Sequence, residues 1–196
     1  MLTIAWDIDD VLNELMLTWF TEVWKAEHPD SRLGYSDISQ NPPDRVLGIS
    51  RVDYLNSLDR FRASEDARNM PPNRLVLEWL NSFGESYRHI ALTARPLEST
   101  PHAAEWLFRH FGMYIRTFAV VPSRYADGVP PYDRDKPEYL SWLGKADILV
   151  DDSPENIRGA ERLGLRGILY PQPWNRASES ADAVLLSITE RVREVR

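Results

Sequence analysis

The chain has 196 residues, 43% of them hydrophobic and 27% charged, the size and balance of one soluble globular domain or one domain with a modest insertion. A formal net charge of −7 argues against a broad nucleic-acid or anionic-membrane surface, and leaves room for a small phosphorylated substrate held through local cations. Cysteine is absent, which excludes disulfides, thiolate zinc sites and a cysteine nucleophile, and makes a reducing compartment the natural setting.

The first element is a strand, Leu2 to Trp6, running into Asp7-Ile8-Asp9-Asp10. A short apolar run closed by turn residues reads as a buried strand of a parallel sheet. Val11, Leu12, Leu15, Met16, Trp19, Phe20, Val23 and Trp24 then recur as adjacent pairs four apart, a one-faced helix ending near His28-Pro29. Trp19 and Trp24 fall on that apolar stripe and read as core. Asp30 to Ile49 is rich in Pro, Ser, Asp and Gly and reads as loop. A helix follows Ser50, with Val52, Leu55, Leu58 and Phe61 inward, and another follows Pro71-Pro72, carrying Leu75, Val76, Trp79, Leu80 and Phe83 up to Gly84.

From there strands and helices alternate. His89 to Thr93 is a strand, and Thr100-Pro101 starts a helix closed by Gly112. Ile115 to Val121 is a strand, and Lys136-Pro137 opens a helix closed by Gly144. Asp147 to Val150 is a strand, Ser153-Pro154 caps a helix ending at Gly164, and Gly167 to Tyr170 is the last clear strand. Such alternation predicts a doubly wound, Rossmann-like α/β fold with a parallel sheet. Residues 12–72 break the rhythm and read as a helical cap inserted into a core formed by 1–11 and 73–196. With no signal-peptide pattern and no apolar run near the ~20 residues that span a bilayer, the expectation is a cytoplasmic protein without membrane or nucleic-acid polymer partners.

Two acidic clusters stand at strand ends: Asp7-Ile8-Asp9-Asp10 and Asp151-Asp152-Ser153-Pro154. In open α/β sheets, ligands sit outside the carboxyl ends of the strands. If these two strands are neighbours, four or five carboxylates converge. Two such charges ~4 Å apart repel by roughly 4 kcal/mol at an effective dielectric of 20, so a cation or a proton is required. A hard metal ion is the expected occupant. No GxxxxGK(S/T) or GxGxxG stretch supports NTP or dinucleotide binding. His28, His89, His102 and His110 show no ligand spacing and read as surface or partly buried residues. Arg45, Arg51, Arg60 and Arg62 lie in the inserted segment and read first as solvated charges, with substrate contact as the alternative.

Four pieces of the chain resemble the four motifs of the haloacid dehalogenase (HAD) superfamily of phosphotransferases, in order and in matching contexts. Asp7-Ile8-Asp9-Asp10-Val11 is similar to the first, DxDx(T/V), directly after a strand. Leu92-Thr93-Ala94-Arg95 resembles the second, Lys136 at a helix start the third, and Val150-Asp151-Asp152-Ser153 followed by Asn156 the fourth. The resemblance covers about 1–11 and 86–170 and leaves the insertion aside.

The resemblance implies Asp7 as the nucleophile forming an aspartyl-phosphate, and Asp9 as the acid that protonates the leaving oxygen and then activates water. Dehalogenases of the superfamily lack the second aspartate. It implies Mg2+ as cofactor, held by the Asp7 carboxylate, the Asp9 backbone carbonyl and Asp152, with Asp151 a further contact or a supporting one. Asn156 would support the site through water. Thr93, Ala94 and Arg95 would bind a phosphoryl oxygen, and Lys136 would neutralise charge on the phosphate and on Asp7. Asp10 reads as a helix cap. A small helical cap with Asp-x-Asp-Asp-Val-Leu and Leu-Thr-Ala-Arg-Pro most resembles the 5′(3′)-deoxyribonucleotidase group, which hydrolyses nucleoside monophosphates. A catalytically idle HAD-like metal-binding scaffold and a phosphomutase-like transferase are the competing readings.

Overall fold

The computed structural model describes residues 1–121, 130 and 132–190. Five parallel strands, β1 (Thr3–Asp7), β2 (Arg88–Thr93), β3 (Ile115–Val120), β4 (Ile148–Asp151) and β5 (Arg166–Leu169), form one sheet in the order β3-β2-β1-β4-β5. The two acid-tipped strands, β1 and β4, are therefore hydrogen-bonded neighbours. Their register pairs Trp6 with Val150, so Asp7 and Asp151 are the next residues along the same step.

Helices cover both faces: α1 (15–27, the consecutive stretches Leu15–Trp19, Phe20–Trp24 and Lys25–Glu27), α2 (Arg51–Arg62), α3 (Glu65–Asn69), α4 (Arg74–Phe83), α5 (Thr100–Phe111), α6 (Lys136–Leu143), α7 (Pro154–Arg162) and α8 (Ala181–Glu190). Side chains alternate across a strand, and β1 divides accordingly. Ile4 and Trp6 pack with Val76, Trp79 and Leu80 of α4, Leu107 and Phe111 of α5, and Leu185 and Ile188 of α8. Ala5 faces the other way, with Leu92 and Leu149, against Leu140 of α6 and Ile157 and Ala160 of α7. The parity that buries Ala5 against α6 and α7 also turns Asp7 toward the α6 N-terminus, where Lys136 sits. Gly159 lets α6 come close, because a Cβ there would lie 2.6 Å from the Pro137 ring.

The chain leaves the sheet at Leu12 and returns at Asn73. There the Asn73 amide donates to the Leu12 carbonyl (2.7 Å), beside an antiparallel bridge between Asn13 and Pro72. Between these points Leu15, Met16, Trp19, Phe20 and Trp24 of α1 pack with Tyr54, Leu58 and Phe61 of α2 and with Met70, a cluster separate from the sheet's two faces. Trp174, from the loop after β5, joins that cluster.

Several local expectations are corrected. Val11 and Leu12 are not the start of α1; they close a tight loop (8–12) in which Asp10 is left-handed (φ 65°) and the Asn13 amide donates to the Ile8 carbonyl. Val52 (64% exposed) and Phe83 (40% exposed) face solvent; on α2, Leu58 and Phe61 are buried as expected, joined by Tyr54 and Ser57. His89 is buried rather than partly exposed: its Nδ1 accepts from the Trp6 indole (3.0 Å) and its Nε2 donates to the Gly84 carbonyl (2.8 Å). The 30–49 stretch contains short helical turns at Tyr35–Asp37 and Asp44–Leu47. Helix α8 was not expected, although Val184, Leu185 and Ile188 carry helical spacing. Among the described residues no helix is long and apolar enough to cross a membrane.

Candidate active site

The strand ends deliver three buried carboxylates to one point. Asp7, Asp151 and Asp152 each offer an oxygen, and these oxygens lie within 4.8 Å of one another. Asp7 ends β1, and its Oδ1 accepts from the Ile8 amide (2.7 Å), which fixes the carboxylate at the lip of the sheet. Its Oδ2 lies 2.6 Å from Lys136 Nζ, and the same ammonium reaches Asp151 Oδ2 at 2.8 Å. Lys136 is placed by the start of α6, where the Asp135 side chain accepts from the Glu138 amide and Pro137 occupies the first turn.

Asp151 is fully buried and heavily coordinated. Asn156 Nδ2 donates to both of its oxygens (3.1 Å each), and the Ser153 amide donates to Oδ1 (2.9 Å). Asn156 therefore contacts Asp151 directly, where a water-mediated role was expected. Asp152 is held from elsewhere: the Trp174 indole donates to Oδ2 (2.7 Å), and Asn175 Nδ2 donates to the Asp152 carbonyl (2.8 Å). Trp174, Asn175 and Gln172, whose Nε2 donates to the Asp10 carbonyl (2.7 Å), were not singled out from the sequence. The position of Pro171-Gln172-Pro173-Trp174-Asn175 just past β5, at a strand's carboxyl end, was the available signal.

The electrostatics show that the cluster is short of positive charge. Burial pushes the Asp7 carboxyl up; Lys136 pulls it back, Asp151 and Asp152 push it up again, and it stays well above the usual range. Burial and the adjacent Asp151 push Asp152 up to about 8. One buried ammonium does not offset three buried carboxylates, and without further positive charge the site retains protons. The donors are all hard oxygens, gathered within 4.8 Å of one another. That donor chemistry is the kind a hard ion such as Mg2+ takes.

Asp9 points away from this cluster. Arg95 Nε donates to both Asp9 oxygens (3.0 and 2.8 Å), Arg95 Nη2 pairs with Oδ1, and Arg62 Nη2 lies 3.4 Å from Oδ2. Asn13 Nδ2 adds a longer bond (3.3 Å). Burial alone would raise the Asp9 carboxyl, but Arg95, Arg62 and Asn13 together outweigh it and hold it below the usual carboxylate range. Arg95 therefore clasps Asp9 in this conformation. Asp10 does cap α1: its Oδ1 accepts from the Met16 amide (2.8 Å). Burial and the neighbouring Asp9 push it up to about 8.

Thr93 ends β2 and is buried, Ala94 is exposed beyond it, and both line the cleft with Asp7, Asp9, Lys136 and Asp152. The cleft measures about 200 Å3, and Leu15, Met16, Tyr54 and Arg62 of the 12–72 segment form its opposite wall. Arg62 is thus a wall residue with only 15% of its side chain exposed, contrary to its reading as a solvated charge; Arg45 and Arg60 are exposed as expected. A larger cleft of about 470 Å3 opens at the opposite strand ends, by Met1, Arg88 and Arg116. Among the described residues it has no cluster of metal-binding side chains.

No protein-family model and no curated protein matches the sequence. Solved structures do. A hydrolase from Streptococcus pneumoniae TIGR4 superposes with a TM-score of 0.59 over 87% of this chain and 92% of that one, at 13% identity. A HAD-superfamily hydrolase from Ehrlichia chaffeensis gives 0.56 over 97% of each chain at 15% identity. CbbY from Rhodobacter sphaeroides, solved in complex with xylulose-(1,5)-bisphosphate, gives 0.51 over 92% and 91% at 19% identity. The five-stranded parallel sheet with flanking helices is the Rossmann-like α/β fold that these solved structures share.

Proposed function

We propose that this chain is a HAD-type, Mg2+-dependent phosphomonoester hydrolase that acts through an aspartyl-phosphate on Asp7. The observation that carries the reading is the juxtaposition of Asp7, Lys136 and the Asp151-Asp152 pair at neighbouring strand ends. The side chains of Asp7, Asp152 and Asp151, with the Asp9 backbone carbonyl, would hold the ion. When bound, it supplies the positive charge that the buried carboxylates and a phosphoryl group both lack.

The chain's own residues account for the rest. An Asp7 oxygen attacks phosphorus, and the bond from phosphorus to the substrate oxygen breaks. Lys136 stays beside Asp7 and stabilises charge on the transferring group, while Thr93 and the amides that follow it orient phosphoryl oxygens. Asp9 gives a proton to the departing oxygen. It then takes one from the water that attacks the Asp7-bound phosphoryl group, which regenerates Asp7 and releases phosphate. In the structure the arginine clasp holds Asp9 in the base form; the first half-reaction requires that clasp to open.

A cleft of about 200 Å3 lies below the ~300–1,000 Å3 typical of sites for drug-sized ligands. That volume favours a compact phosphorylated metabolite, and a nucleoside monophosphate would need the 12–72 segment, read as a cap, to swing outward. The phosphomutase reading is supported by the likeness to a solved structure described as a putative β-phosphoglucomutase from Thermotoga maritima (TM-score 0.57 at 16% identity). The test is phosphate release from an aryl phosphate, small metabolite phosphates and nucleoside monophosphates, with Mg2+ and with EDTA. Release that EDTA stops and that Asp7→Asn abolishes is expected. No release from any substrate with metal bound would favour the idle scaffold.

A further inference from the structure

Resting on that catalytic reading, the geometry points to a second anion site in the same cleft: Arg62 and Arg95 form a two-guanidinium receptor for an additional carboxylate or phosphate on the substrate. The receptor joins two parts of the chain. Arg95 follows β2, and Arg62 ends α2 on the opposite wall. Only 6% and 15% of their side chains are exposed, so both charges are largely withdrawn from water.

Asp9 shows what the pair is shaped to hold. Arg95 presents Nε and Nη2 together to one carboxylate, the forked geometry in which a guanidinium recognises planar anions, and Arg62 approaches the second oxygen from the other side. The Arg62 contact is loose, at 3.4 Å, beside its 2.8 Å bond to Asp59. Its Nε is buried with no hydrogen-bond partner. A buried, charged N–H donor left unpaired costs free energy, and an incoming acceptor removes that cost. Arg62 thus has donor capacity that Asp9 does not use.

A substrate with one phosphate at Asp7 and Lys136 and a second anionic group a few bonds away would place that group on Arg62 and Arg95, in competition with Asp9. Its arrival would open the clasp that the proposed chemistry needs opened. The cleft volume restricts such a molecule to a short carbon chain. The receptor therefore selects small phosphorylated acids or short bisphosphates over simple alkyl phosphates, and it rewards the 12–72 wall for closing on them.

The experiment compares 2-phosphoglycolate (second group a carboxylate), propane-1,3-diol bisphosphate (second group a phosphate) and ethyl phosphate (no second group), with an aryl phosphate as reference. It uses the wild-type chain, Arg62→Gln and Arg62→Lys with Mg2+. Wild type should favour at least one two-anion substrate over ethyl phosphate by 10-fold or more in kcat/KM. Arg62→Gln should reduce that ratio at least 10-fold, mainly through KM, and Arg62→Lys should restore part of it. Whether the carboxylate or the phosphate gains more identifies the second group. Equal kcat/KM for all three substrates, or an equal loss on all of them in Arg62→Gln, overturns the inference. If the aryl phosphate too is not hydrolysed, the catalytic reading is what fails. The receptor is then judged by equilibrium dialysis: tighter retention of 2-phosphoglycolate than of ethyl phosphate, lost in Arg62→Gln, supports it, and equal retention overturns it.

Discussion

The Trp174 indole donates a 2.7 Å hydrogen bond to Asp152, and the same ring is packed among the side chains of α1 and α2. One residue thereby orients a proposed metal ligand and anchors the wall that faces it. Tyr35 extends the link: its ring meets Trp174 edge-on, and its hydroxyl donates to Gln172, which in turn holds the Asp10 carbonyl. Partners that orient metal ligands typically change affinity ~10–100-fold when removed. Trp174→Phe keeps the ring and deletes the donor, so Mg2+ affinity measured by calorimetry should fall about 10-fold. Unchanged affinity would show that the indole bond does not position Asp152.

Lys136 is the buried cation between Asp7 and Asp151. Removing one partner of a buried charge pair typically costs ~3–5 kcal/mol because the other charge stays buried. Lys136→Met should therefore destabilise the protein by about that amount at pH 8 in EDTA, measured by urea unfolding. Burial already raises the Asp7 carboxyl and Lys136 opposes that rise, so without the lysine the folded state takes up its proton more readily. The destabilisation should shrink as pH falls from 8 to 5. A penalty independent of pH would contradict the assignment of Lys136 as the counter-charge.

His89 supplies a second pH dependence, far from the carboxylates. Burial lowers its pKa below the ordinary 6.5, and both ring nitrogens are committed, Nδ1 as an acceptor and Nε2 as a donor. The unfolded chain takes up the proton first as pH drops, so the contribution of neutral His89 is complete above about pH 6.5 and is lost below it. His89→Gln should be less stable than wild type at pH 7.5, and the difference between the two should narrow toward pH 5.5. Parallel curves would contradict a neutral, buried His89.

Much of this site was legible because it lies at strand ends. The apolar runs before Asp7 and Asp151 mark β1 and β4, and a parallel sheet puts their acids at one edge. What the sequence left hidden depends on packing across long separations. Arg62 carries no local sign that α2 will turn it into the cleft, and the apolar spacing of that helix, which places Leu58 and Phe61 correctly, fails at Val52 and misses Tyr54 and Ser57. Trp174 follows the last expected strand and two prolines, in a loop whose route back to Asp152 only the tertiary fold defines. The late start of α1 has a local cause: Asp10 in the left-handed region and Asn13, which accepts from the Asp10 and Leu15 amides, close a loop where the apolar pairs alone predict helix.

The account depends most on Asp7 carrying the phosphoryl group. In Asp9→Asn the group that should activate water is disabled, so the aspartyl-phosphate should accumulate. The direct measurement is peptide mass spectrometry of Asp9→Asn quenched after mixing with a turned-over substrate and Mg2+, with Asp7→Asn as control. One phosphoryl group located on Asp7, absent from Asp7→Asn, is the predicted result. A phosphoryl group on any other residue, or undiminished turnover by Asp7→Asn, would contradict the account.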